Sequence, residues 1–144
     1  GRPLRFVVRR WAARGTARGM VRMSSPRGGM DHVVPMLDLT RGLVQDYPVV
    51  LFLEGPLQQP AEGPSRRAVE LLDDLGVAFK AVDCADEKAN PGLRGVIEEL
   101  SGERSLPQLF AGGELVRHGW LDDPSELRPV LERAGASFHA RLPA

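Results

Sequence analysis

Two carboxylates flank the loop that joins an apolar strand to a helix, and they are the first candidates for chemistry in this chain. Glu54 follows the apolar run 49–53, and Glu62 precedes a helical pattern that begins at Ser65. A catalytic carboxylate needs a second acid or base within hydrogen-bonding reach. The local sequence offers Glu62 no such partner. We therefore predict an exposed carboxylate near a helix start, where the positive end of the helix attracts negative charge, and no catalytic residue here.

The other reactive side chains do not form a site by their spacing. Cys84 is the single cysteine, which excludes an intrachain disulfide, a cysteine-rich zinc site and a Cys-X-X-Cys pair. A lone cysteine at the end of a strand is typical of a small buried hydrophobe, and a reactive role is the alternative. No cysteine or histidine stands close to His118 in the sequence, so we predict a surface residue there, no metal site and no cofactor.

The charges are segregated along the chain. Of 19 basic and 19 acidic residues, eight arginines and no acid fall within residues 1–30, which leaves 11 basic against 19 acidic side chains in the remainder. This pattern indicates a basic N-terminal arm on an acidic domain. We divide the chain into an arm (1–35), a domain (36–135) and a loose C-terminal tail (136–144).

Two interpretations of the arm remain open. Arginine-rich, acid-free N-termini are typical of organelle-targeting segments. A basic arm is also suited to docking on RNA phosphates, an anionic lipid surface or an acidic protein surface. A short apolar cluster among the arginines favours docking, and the predicted partner-binding residues are Arg5, Phe6, Arg9, Arg10 and Trp11. The apolar runs are too short to span a bilayer.

From about residue 36 the periodicity predicts an α/β domain. The predicted helices cover residues 37–45, 65–75, 93–100 and 124–134, and the predicted strands cover 48–53, 77–83, 108–110 and 114–116. In the second strand Val77, Phe79 and Ala81 alternate with Lys80, which places Lys80 on the opposite face. Gly112-Gly113 predicts a two-residue hairpin. Asp123-Pro124-Ser125-Glu126 predicts a capping box with Pro at the first helical position.

Two motifs give the domain a family resemblance. Gly55, Gln59, Pro60, Gly63, Ser65 and Arg66 lie around the loop, and Ser105-Leu106-Pro107-Gln108 precedes the third strand. Residues 39–134 with these motifs resemble the monothiol glutaredoxins. The resemblance implies a thioredoxin-like (glutaredoxin) fold with a central four-stranded mixed sheet flanked by helices. It also implies a cis proline at Pro107.

At the loop, the resemblance implies that the family's chemistry is lost. The family has Cys-Gly-Phe-Ser where this chain has Glu62-Gly63-Pro64-Ser65. A carboxylate supplies no thiolate for glutathione exchange or for an iron–sulfur cluster. Pro64 replaces an aromatic and removes a backbone donor, and Glu54 replaces a lysine that pairs with glutathione.

A second corner of the implied glutathione groove also departs from the family. Arg117-His118-Gly119-Trp120 falls where the family has Gly-Gly-Cys-Asp, so Trp120 would lie in or over the groove or serve as an exposed partner contact. Asp122 and Asp123 are predicted to cap the last helix. The residues of the degenerate groove are predicted to be Glu54, Pro64, Leu106, Pro107, Gly119 and Trp120.

These observations favour a pseudoenzyme, which is a non-catalytic accessory or structural subunit of a large organellar assembly. A mitochondrial respiratory-chain complex is the leading assignment, with the arm docked on protein subunits. Two alternatives stay open. One is an RNA-binding subunit of the mitochondrial ribosome, and the other is a residual monothiol glutaredoxin linked to glutathione or iron–sulfur chemistry.

Overall fold

The predicted order of helices and strands is present, with one additional strand. The structure is a computed structural model that describes residues 18–20, 35–117 and 119–138. The helices are α1 (Met36–Asp46), α2 (Pro64–Leu75), α3 (Leu93–Ser101) and α4 (Leu127–Arg133), and the strands are β1 (Arg18–Met20), β2 (Val49–Leu53), β3 (Phe79–Asp83), β4 (Gln108–Ala111) and β5 (Glu114–Leu115).

The strands form one mixed sheet in the order β1-β3-β2-β4-β5. β2 and β3 are parallel, whereas β4 is antiparallel to both β2 and β5. These four strands are the predicted four-stranded sheet. β1 extends it at the β3 edge in parallel register, with Arg18 beside Phe79 and Met20 beside Ala81. Residues 18–20 belong to the predicted N-terminal arm, for which the sequence predicts no strand.

Helices cover both faces of the sheet. On one face α2 and α4 pack through Leu72, Leu127 and Leu131 on the strands, and on the other α1 and α3 pack through Leu43 and Ile97. All side chains of β2 and β3 are buried for this reason. Central strands covered on both faces read as continuous apolar runs, as residues 49–53 do.

Lys80 lies on the face of β3 opposite Phe79 and Ala81, as the alternation predicts, and is buried there. Its side chain is only 5% exposed and its ammonium lies 5.4 Å from the ring centroid of Tyr47. Burial lowers the pKa of Lys80 below its ordinary value. The alternation of β3 places Lys80 on the α1 side of the sheet, and because helices cover that side as well, a polar residue in the pattern did not indicate solvent.

The helix boundaries follow local signals, with one partial exception. Gly76 ends α2 in the left-handed conformation at φ 73°, which glycine adopts without steric cost. The predicted capping box forms only in part. Asp123 accepts from the Ser125 N–H, and a short 3-10 helix (Pro124–Glu126) precedes α4, while the Asp123 N–H donates to Gly119.

The predicted loose tail is ordered over its first residues. Phe138 pairs with Val77 in an isolated antiparallel bridge, and Ala78 donates a hydrogen bond to Ser137. Ala136 and Phe138 pack against the core beside α2 and α4. Apolar side chains in the tail therefore extend the domain to residue 138, and residues 139–144 lie outside the described part of the chain.

Candidate functional site

The loop between β2 and α2 is fixed by hydrogen bonds at both of its ends. The Glu54 C=O accepts from Ala61 at 2.8 Å, and the Glu54 N–H donates to Ser65 Oγ at 3.1 Å. Gly55 has φ +96°, and a Cβ there would lie 3.0 Å from the Ala61 nitrogen. Glycine is required at this position because both its conformation and its close contact exclude a side chain.

Asp83 fastens this loop to the end of β3. Its Oδ1 accepts from the Gly55 N–H at 2.9 Å and from the Ala85 N–H at 2.8 Å. The side chain is buried, with 8% exposed. Since the loops after parallel β2 and β3 leave the same end of the sheet, one carboxylate can satisfy backbone donors from both. Sequence reasoning did not single out Asp83.

Glu62 lies at the exposed start of α2. The residue is exposed, and α2 begins two positions later at Pro64, with Gly63 as its N-cap at φ 88°. The first-turn donors are partly used, because the Arg66 N–H donates to Ala61 and the Arg67 N–H donates to Gly63. Pro64 supplies no donor. The arrangement presents a carboxylate and no nucleophilic sulfur at the helix start.

Glu54 forms an ion pair that the sequence did not reveal. Its Oε2 lies 3.2 Å from Arg94 in the first turn of α3, and the two side chains are 47% and 52% exposed. Arg94 is therefore a residue of the site that sequence analysis missed. No local sequence pattern predicts this ion pair, because its two residues are 40 positions apart in the chain.

Five of the six predicted groove residues line one small groove of about 200 Å³. They are Pro64, Leu106, Pro107, Gly119 and Trp120. The Leu106–Pro107 peptide is cis, as the resemblance implied. Glu54 does not line this groove and instead lies at the Arg94 ion pair. The groove is smaller than the 300–1,000 Å³ that is usual for pockets that enclose a small molecule.

Trp120 is a wall of this groove and part of the hydrophobic core. Its side chain is only 8% exposed and belongs to the cluster formed with α2 and α4. The prediction of an exposed contact residue is wrong, because the turn at Gly119 (φ +94°) directs the chain back toward the core. The turn is held by Arg67, which lies 3.2 Å from Asp122. Asp122 thus pairs with α2 rather than capping α4.

Cys84 is enclosed and unreactive. Its residue exposure is 0%, and burial, reinforced by the charge of Asp83, raises the pKa of its thiol to about 12. A thiol is nucleophilic only as the thiolate. The structure therefore agrees with a small buried hydrophobe at this position.

The described residues bear on the metal and membrane predictions, whereas the predicted arm contacts lie outside them. Within residues 18–20, 35–117 and 119–138, no group of three His, Cys, Asp or Glu side chains is arranged to hold a metal ion. None of the described helices is both long and apolar enough to cross a membrane. His118 and the predicted arm contacts Arg5, Phe6, Arg9, Arg10 and Trp11 lie outside the described residues.

Comparison with known proteins identifies the family. A family model described as Glutaredoxin matches residues 60–116. The chain is 36% identical over 92 residues to the Bifunctional monothiol glutaredoxin-S16, chloroplastic, of Arabidopsis thaliana, covering 64% of this chain and 31% of that protein. It is 35% identical over 94 residues to the Probable monothiol glutaredoxin GrlA of Legionella pneumophila, covering 61% of this chain and 100% of that protein.

A solved structure of the same fold is the monomeric truncated mutant of 1-C-Grx1 from Trypanosoma brucei. It superposes with a TM-score of 0.59 at 25% identity, covering 73% of this chain and 96% of that one. The fold is thioredoxin-like, and the chain belongs to the glutaredoxin family. It spans the full length of the Legionella relative but less than a third of the Arabidopsis protein.

Proposed function

We propose that this chain is a non-catalytic glutaredoxin-like protein that serves as an accessory or structural subunit of a larger assembly. One observation carries the proposal. The exposed side chain ahead of α2 is the carboxylate of Glu62, whereas the single cysteine of the chain, Cys84, is buried with its thiol pKa raised to about 12. Thiol exchange requires an accessible thiolate, and neither position supplies one.

The electrostatics of the loop support the same conclusion. Glu54 places a negative charge at the start of the loop between β2 and α2 and engages Arg94 at 3.2 Å. Glutathione carries carboxylates, so an acidic residue at this point opposes its binding, and the paired Arg94 is less available to attract it. The narrow groove beside Pro107, with Trp120 as a wall, gives the peptide little room.

We place the chain in mitochondria, docked through its basic arm on protein subunits of a respiratory-chain complex. The arginine-rich, acid-free residues 1–30 and the excess of acid in the remainder support this assignment, since such arms are typical both of organelle targeting and of docking. Native purification followed by mass spectrometry tests it. Recovery of respiratory-chain subunits is the expected result, and recovery of ribosomal RNA and ribosomal proteins would contradict it.

A thiol-transfer assay tests the loss of catalysis. We expect the full chain to show no glutathione-dependent reduction of a mixed disulfide above the buffer rate, with the Glu62→Cys variant as the matched positive control. Glu62→Cys restores a thiol at the helix N-terminus, where thiolates are stabilised. Turnover by the unaltered chain that disappears in Cys84→Ser would overturn the proposal.

A residual monothiol glutaredoxin is the second candidate, favoured by the names of the relatives. This candidate requires a cluster bound without a thiol at position 62. Reconstitution with iron and sulfide discriminates the two. A stable visible absorbance that survives Cys84→Ser would favour the second candidate, and colourless protein favours the first.

A further inference from the structure

A second and larger groove lies between β5 and α4, on the side of Trp120 away from the loop residue Pro64. Its volume is about 690 Å³. One wall is the β5 strand with Val116 and Arg117, and the other is α4 with Val130 and Ala134. Leu115, Val116, Gly119 and Trp120 line both grooves. The large groove contains neither Glu62 nor Cys84 and adjoins the small groove through these four shared residues.

The strand wall offers unpaired backbone groups. β5 is the last strand of the described sheet and pairs only with β4, with Leu115 opposite Phe110. The Val116 N–H donates to Leu109 at 2.8 Å. Because backbone groups alternate in direction along an antiparallel strand, the N–H and C=O of Leu115 point away from β4. An edge strand beside a groove with both apolar and charged lining is a site for strand addition.

The floor of the large groove is apolar and its rim is charged. Leu127 and Trp120 are buried in the floor, while Val130 is half-buried. The rim carries three acids, Glu114, Asp123 and Glu126, and two bases, Arg117 and Arg133. Glu114, Glu126, Arg117 and Arg133 form no ion pair with other residues of the described ranges. These charges remain available to a partner.

The net charge of the domain favours a positively charged partner. Residues 35–117 and 119–138 contain 18 acidic and 10 basic side chains, a net charge of −8. An acidic surface attracts cationic segments and raises their rate of association. The groove, with its majority of acids, therefore fits an extended segment that alternates basic with apolar residues, and the apolar side chains would contact the floor.

We propose that the large groove binds an extended basic and apolar segment of a partner protein, added as a strand to the free edge of β5. This inference rests on the proposed role as a binding subunit and names its contact surface. It differs from the arm docking proposed above, because it uses the domain and not residues 1–30.

The test is a titration of the full chain with a labelled peptide, acetyl-Lys-Val-Arg-Phe-Lys-Val-Arg-amide, followed by fluorescence anisotropy. The double variant Glu114→Lys/Glu126→Lys should weaken binding by at least about tenfold. The matched control Glu70→Lys/Glu99→Lys changes the net charge equally at exposed sites outside both grooves, and should weaken it by less than about twofold. Equal losses in both variants would indicate general attraction and overturn the proposal.

Nuclear magnetic resonance of the unaltered chain keeps the proposal testable if a variant does not fold. We expect the peptide to shift the Leu115 amide and the Trp120 indole signals, with the Glu62 amide unchanged. No saturable binding, or shifts confined to residues outside the large groove, would overturn it. The titration involves no thiol chemistry, so its failure is distinct from thiol-transfer turnover, which would overturn the non-catalytic role instead.

Discussion

The carboxylate of Glu54 and the guanidinium of Arg94 lie 3.2 Å apart and connect the end of β2 to the first turn of α3. The pair engages the guanidinium of Arg94 with a carboxylate of the same chain at the start of the loop between β2 and α2. Since both side chains are about half exposed, the pair stabilises the fold by no more than about 1 kcal/mol.

This relationship predicts the effect of reversing Glu54. In a Glu62→Cys background, Glu54→Lys should raise the rate of reaction with oxidised glutathione by about tenfold, because it replaces repulsion of the ligand's carboxylates by attraction. The rate of mixed-disulfide formation measures this by mass spectrometry. Glu99→Lys in the same background is the control of equal charge change, and an equal acceleration there would refute the local explanation.

Truncation of the Asp83 side chain should lower the stability of the fold. Asp83→Ala leaves the half-buried Gly55 N–H and the exposed Ala85 N–H without their acceptor, which should lower the free energy of unfolding by about 1–3 kcal/mol. Asp83→Asn retains an acceptor oxygen and should lose less. Denaturant unfolding measures both, and an Ala variant as stable as the Asn variant would contradict this role.

The buried thiol of Cys84 should make the stability of the fold depend on pH. Its thiol pKa is raised from 9.0 to about 12 in the folded chain, so the folded state retains a proton that the unfolded state loses. Stability from this source is present below pH 9 and falls as the pH rises toward 12. At pH 10 the loss is about 1.4 kcal/mol.

The matched variant for this effect is Cys84→Ala, since Lys80, whose lowered pKa changes stability with the opposite sign, is common to both proteins. The decrease in unfolding free energy between pH 7 and pH 10 should be about 1.4 kcal/mol greater in the unaltered chain than in Cys84→Ala. Parallel pH profiles for the two proteins would show that the thiol titrates alike in both states.

Truncation of Trp120 should destabilise the core, because this residue, for which the sequence left a groove position and an exposed contact open, is buried. Trp120→Ala should lower the free energy of unfolding by about 3–5 kcal/mol, as for other buried aromatics. Trp120→Phe keeps most of the apolar contact and should lose less. An exposed contact residue would change stability by less than about 0.5 kcal/mol, so denaturant midpoints separate the two descriptions.

The sequence predicted the fold because local signals agreed with one another. The apolar period of α3, the Gly112-Gly113 turn and the Gly76 stop are each set by residues within a few positions. Both hairpin glycines have positive φ, 61° and 87°, as a two-residue turn requires. The family motifs then selected one arrangement among the small α/β folds.

The features that sequence reasoning missed depend on residues far apart in the chain. Arg94 belongs to the site because it pairs with Glu54, and Asp83 belongs to it because it accepts a hydrogen bond from the Gly55 N–H. Lys80 is buried because α1 and α3 also cover the opposite face of β3, which its alternation alone does not show. The strand β1 has no apolar pattern over Arg18–Met20, and its position is set by pairing with the edge of β3.

The direction of β1 determines how the domain would be held. Its parallel register places Arg18 next to Phe79, whereas Glu54 and Cys84 follow the far ends of β2 and β3. The chain that precedes Arg18 therefore joins the sheet at the end opposite the loop between β2 and α2, which contains no cysteine. A partner bound to this leading segment would therefore contact the end of the sheet opposite the loop between β2 and α2, and would leave that loop accessible to a further molecule.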